Sequence, residues 1–78
     1  MFRFYEEVRV ASPLPHNAEH AAQVGVMIGL GDEPGQPLSY GVLLYCSQRV
    51  VCFAEEELAS TGRQFSREEF FRADLPPR

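Results

Sequence analysis

Two stretches of the chain alternate apolar and small or polar residues with a period of two. Over 22–30, Val24, Val26 and Ile28 alternate with Gly25, Met27 and Gly29. Over 40–46, Tyr40, Val42, Leu44 and Cys46 alternate with Gly41, Leu43 and Tyr45. That period predicts strands, because successive side chains of a strand point to opposite faces of a sheet. Between them, residues 32–37 hold two prolines and a glycine, which exclude a regular element and predict a hairpin loop. The second run turns at Ser47, Gln48 and Arg49 into Val50-Val51-Cys52-Phe53. Three adjacent antiparallel strands are therefore expected at the heart of a small β domain.

The flanks extend this picture. Residues 2–11 form a first strand candidate, with Val8 and Val10 alternating against Glu7 and Arg9. The Glu6-Glu7 doublet predicts that this strand lies at an edge or bends there. Pro13 and Pro15 end it in an extended loop. Residues 18–22 are too short for a free-standing helix and are expected to lead into the strand at 23–31. After Phe53, three consecutive glutamates cannot all face a core. A single tight turn there would let Leu58 plug it and start a last strand near 59–64, closing against the first. Ser66 and Glu69 have capping-box spacing with Phe65 in the staple position, so a short helix is expected from about 67, ending before Pro76 and Pro77. The expected fold is all-β: a single domain over 1–78, either an SH3-like barrel of about five strands or a curled antiparallel sheet covered by the C-terminal helix. Val24, Val26, Val42, Leu44, Val51, Phe53 and Leu58 are the expected buried residues.

Composition narrows the function. With 78 residues the chain is near the lower limit for a self-sufficient core. Its formal charge of −4, its lack of lysine and the dispersal of its arginines argue against a nucleic-acid partner. No apolar stretch approaches a membrane span and no basic-then-apolar segment opens the chain, so neither a membrane nor a secretory leader is expected. Cys46 and Cys52 have no zinc spacing and read as free thiols, with a cross-strand disulfide as the alternative. His16 and His20 are four apart, but the prolines just upstream oppose a helix that would align them, and no further ligand is near. Two loop histidines are expected, with no metal and no cofactor. No serine lies in a nucleophile motif, and Gly25, Gly29 and Gly31 match no phosphate loop. They read as glycines that permit curvature or bulges, and no catalytic residue is expected.

Asp32, Glu33, Glu55, Glu56 and Glu57 remain. Solvated surface is the plain reading of such acids. Five carboxylates bracketing the loop ends of so small a domain also predict a local negative field suited to a basic protein partner. Tyr40 is expected beside them as an aromatic anchor, as is Tyr45. The acids lack the alternating spacing of a calcium loop.

The chain also resembles a known family. Phe4-Tyr5-Glu6-Glu7-Val8-Arg9-Val10, Val24-Gly25-Val26 with Ile28-Gly29, Tyr40-Gly41-Val42, Val51-Cys52-Phe53-Ala54-Glu55-Glu56-Glu57-Leu58 with Thr61-Gly62, and Arg67-Glu68-Glu69-Phe70-Phe71 are similar to the immunity protein 31 family of bacterial polymorphic toxin systems. The chain departs from those proteins in having no tryptophan in the strand around Phe53. The resemblance implies a non-enzymatic cytoplasmic protein, monomeric or weakly dimeric, that binds and neutralises a cognate toxin, which is expected to be basic. It supplies no catalytic residues. Beside it stands an SH3-like accessory domain that binds a peptide or a partner enzyme.

Overall fold

The computed structural model describes residues 2–32 and 34–71. Five strands, β1 (Glu6–Val10), β2 (Val24–Gly31), β3 (Ser39–Leu44), β4 (Val50–Ala54) and β5 (Leu58–Gln64), form one antiparallel sheet in the order β4-β3-β2-β1-β5. A 3₁₀ turn, Pro15–His20, lies in the β1–β2 connection. A second, Glu55–Glu57, joins β4 to β5, and the helix α1 spans Arg67–Phe71. The expected all-β architecture with one short C-terminal helix is the one observed.

Connectivity forces the sheet to curl. β4 and β5 are its two edges, four strand spacings apart, which is about 19 Å in a flat sheet. The three-residue turn between Ala54 and Leu58 reaches at most about 14 Å. The sheet bends to bring its edges together, and its concave face holds Val8, Val10, Met27, Tyr40, Val42, Leu44, Phe53 and Leu58. Phe2 packs edge-to-face on Tyr40 with ring centroids 5.3 Å apart and covers that core from one end.

Three sequence expectations change. The first strand starts at Glu6 and not at residue 2, because Tyr5 takes a left-handed backbone (φ 66°) that breaks the extended run. The doublet Glu6-Glu7 thus sits at the expected bend. In β2 the inward residue is Met27, opposite Val42. Val26 lies opposite Leu43 on the other face, yet is fully buried. A register shift between Met27 and Gly29 breaks the simple alternation, and β2 is the central strand, enclosed on both sides. Val24 and Val51 are only half-buried, Val51 packing against the core. Gly25 is required by close approach: a Cβ there would collide with the Leu43 carbonyl and come within 2.8 Å of Val42 Cγ1.

α1 is capped as its sequence predicts. Ser66 Oγ accepts from the Glu69 amide at 3.0 Å, and Glu69 Oε1 accepts from the Ser66 amide at 2.9 Å. Phe65, just before the cap, is buried. Pro76 and Pro77 lie outside the described residues. Cys46 and Cys52 are both exposed and free. Cys52 pairs with Gly41, five residues before Cys46 in the chain, a separation on the order of 15 Å along a strand, whereas a disulfide needs about 4–7 Å between Cα atoms.

Candidate functional site

The ladder brings part of the acidic set together. Gly31 pairs with Ser39, and Ser39 with Ala54, so Asp32 and Glu55 each continue from the same end row of the sheet. Two strand spacings separate those positions, about 10 Å. Asp32, Glu55 and Glu56 are exposed there. Glu33 lies outside the described residues.

Tyr40 and Glu57 are not on that surface. Tyr40 has no exposed area: it faces the concave core opposite Phe53, and only its hydroxyl reaches outward, donating to Glu55 Oε1 at 3.1 Å. Burial, with the Glu55 carboxylate second, raises its pKa. Tyr40 therefore positions Glu55 and cannot itself anchor a partner. Tyr45 is half-buried, and its hydroxyl donates to Glu7.

Glu57 is 1% exposed although it belongs to a run of three glutamates. Its carboxylate accepts from the backbone amides of Leu14 and Ala54, each at 2.7 Å, and from Asn17 Nδ2 at 3.1 Å. With alanine at the cap there is no side-chain acceptor, so the Ala54 amide bond to Glu57, at the third position of the turn, stands alone without the reciprocal bond of a capping box. Burial alone would raise its pKa. The amide donors of Leu14 and Ala54, then Asn17 and the charge of His16, outweigh that and hold it below the usual value. Asn17 also donates to the Cys52 carbonyl at 3.2 Å. The first 3₁₀ turn is thereby fastened to both β4 and the second turn, across the gap that strand pairing leaves open.

Beside this fastening lies an open cleft of about 570 Å³. Leu14 and His16 form one wall, Pro37 and Leu38 of the hairpin loop another, and Phe53 and Ala54 the end. Its mouth adjoins the end row that carries Asp32 and Glu55. An apolar cleft edged by carboxylates can seat an extended or side-chain-rich element bearing positive charge.

Three residues of this region carry little signal in the sequence. Asn17 has partners 35 and 40 residues away, so no local motif marks it. Glu57 was legible only as the third residue after a strand end. Glu7, part of the doublet read as marking an edge or a bend, is buried and accepts from the hydroxyls of Tyr45 and Thr61, both at 2.7 Å. Among the described residues no group of three potential ligands could hold a metal ion. His16 lines the cleft, and His20 stands edge-on to Phe53 at 6.0 Å. No described helix is long and apolar enough to cross a membrane. Comparison with protein families, with curated proteins and with solved structures finds no match to this chain.

Proposed function

We propose that this chain is a non-enzymatic protein-binding module that captures a basic protein partner at the acidic end of its sheet. Within the resemblance to immunity proteins, that partner is a cognate toxin neutralised by occupation of its surface. The observation that carries the reading is the placement of exposed Asp32, Glu55 and Glu56 beside an open cleft walled by Leu14, Pro37, Leu38 and Phe53. Carboxylates at a rim steer a cationic partner into encounter, and the apolar cleft supplies area to be buried once it docks. The most buried carboxylates, Glu57 and Glu7, are bonded to the chain's own amides and hydroxyls, which gives them structural work and supports a role without chemistry.

The test is copurification with the product of the adjacent gene, followed by association kinetics at two salt concentrations. Asp32→Lys with Glu56→Lys should slow association several-fold, and added salt should slow the wild type more than the variant. Equal rates and equal salt dependence in a folded variant would move the partner surface elsewhere. The cleft also favours a second reading, an accessory domain for a linear peptide. Binding of short peptides with no rescue of growth against an adjacent toxin would select it.

A further inference from the structure

The outer edge of β4 is treated unequally along its length. Leu44 donates to the Arg49 carbonyl, which sets the phase of the β3–β4 ladder: 49, 51 and 53 face β3, while 50, 52 and 54 face away. Two bonds confirm that phase, since the outward Ala54 amide goes to Glu57 and the outward Cys52 carbonyl accepts from Asn17. Nothing does the same for the rest of the edge. Among the described residues the Val50 amide, the Val50 carbonyl and the Cys52 amide have no partner.

A second cleft, about 370 Å³, opens beside this bare half. It lies between the end of the first 3₁₀ turn, with Glu19, His20 and Gln23, and the start of β4, with Arg49 and Val51. Gln23 Oε1 is buried and accepts no hydrogen bond from the described residues. Among the described residues, neither Glu19 nor Arg49 has an ion-pair partner. Val50 is 56% exposed.

We infer that the Val50–Cys52 edge and the cleft beside it receive an extended segment of the protein partner, added to the sheet as a short sixth strand. The donor and acceptor order is that of a strand edge: amide, carbonyl, amide, with the Gln23 acceptor set apart. An extended main chain answers those edge groups in sequence. Glu19 and Arg49 add charge complementarity, favouring a segment that carries one basic and one acidic residue. Asn17 limits the addition, because it already holds the Cys52 carbonyl. This docking mode rests on the protein-binding reading above but uses a surface other than the acidic end.

Selection of a displayed library of random twelve-residue peptides against the full chain tests it without knowledge of the partner. Val50→Pro removes one outward amide and leaves every bond to β3 in place, a substitution that edge strands tolerate. Gln23→Ala removes the buried acceptor. Selected peptides should lose about 10-fold or more in affinity for Val50→Pro and several-fold for Gln23→Ala, and should slow hydrogen exchange at the Val50 and Cys52 amides of the wild type. Asp32→Lys with Glu56→Lys should leave that affinity within about 2-fold, which separates this surface from the acidic one. Should Val50→Pro not fold, exchange protection and Gln23→Ala decide. An empty selection, or peptides that leave the two amides exchanging freely, overturns the inference. Failure to recover a basic partner would overturn the acidic-end reading and leave the peptide result standing.

Discussion

Glu57 and Glu7 are both buried carboxylates, and the fold holds them in opposite ways. Glu57 sits between two turns and is bound mainly by backbone amides, Leu14 from the β1–β2 connection and Ala54 from the end of β4. Glu7 sits on β1, on the face away from the core, and is bound by side-chain hydroxyls. Tyr45 reaches it from beyond the end of β3, across the central strand β2, and Thr61 reaches it from β5. Arg63 stands 4.0 Å off and is itself exposed, so it adds little. A carboxylate that collects amides from distant segments fixes where the chain goes. One that collects hydroxyls ties together strands already paired by their ladders. The first is needed for the fold to close, and the second tightens a sheet that exists without it.

The largest expected effect follows from that difference. Glu57→Ala strands the Leu14 and Ala54 amides and removes one of the two acceptors of Asn17, each loss costing about 1–3 kcal/mol, so a total loss of at least about 3 kcal/mol is expected. Stability for a domain of this length is only about 4–12 kcal/mol, so the variant should be partly unfolded at 37 °C. Glu57→Gln keeps one acceptor oxygen and should fall between. Denaturant titration of the three proteins checks the order. A loss below 1 kcal/mol for Glu57→Ala would erase the distinction between the two carboxylates.

Opposite pH limbs sharpen the comparison. Glu57 has a folded pKa below its unfolded value near 4.3, so its contribution is complete above about pH 4.3 and is lost as pH falls through the folded value. Tyr45 is the reverse case. Burial, then its bond to Glu7, raise its pKa, so its contribution is complete below about pH 10 and is lost as pH rises beyond that. Glu57→Gln should flatten the acid limb of a stability–pH profile, and Tyr45→Phe the alkaline limb. Both variants flattening the same limb would show that one of the assignments is wrong.

What the sequence disclosed, and what it hid, follows the same division between local and distant partners. The capping box of α1 was legible because Ser66 and Glu69 satisfy each other within one turn. So was the β2–β3–β4 arrangement, whose period and breaks are local. The face of β2 was not, since a register shift next to Met27 and burial on both sides remove the contrast that alternation relies on. The acidic set was legible as charge and only partly as surface. Glu55 and Glu56 are exposed, whereas Glu57 turns inward to donors up to 43 residues away in the chain. Tyr40 looked like an anchor beside acids, and its ring fills the core.

The hydroxyl network predicts a smaller effect with a built-in control. Tyr45→Phe should cost about 1 kcal/mol in the wild type, the usual net worth of such a bond, and more toward 2 because its acceptor is a charged and buried carboxylate. In a Glu7→Ala background the same substitution should cost close to nothing, because the acceptor has gone. Thr61→Val should behave in parallel. A double-mutant cycle by denaturant titration reads the coupling directly. Costs for Tyr45→Phe that do not change when Glu7 is removed would mean that the ring's packing over β2, and not its hydroxyl, is what stabilises.

The smallest expected change in stability is at Glu56, the exposed neighbour of Glu57. Glu56→Lys alters the charge by two at a residue that takes no side-chain hydrogen bond from the described residues, so the denaturation midpoint should stay where it is. Association with a basic partner should nevertheless slow, and more so at low salt, because a rim charge acts on encounter over about a Debye length, roughly 10 Å at 0.1 M ionic strength. One step along the same turn, Glu57→Gln should show the opposite pattern: a lowered midpoint, and an association rate that is unchanged once the folded fraction is corrected for. Measuring both quantities for both variants separates an acid that builds the turn from one that presents it. A Glu56→Lys protein that is destabilised as much as Glu57→Gln would show that the whole acidic turn is structural and that its charge is not a docking feature.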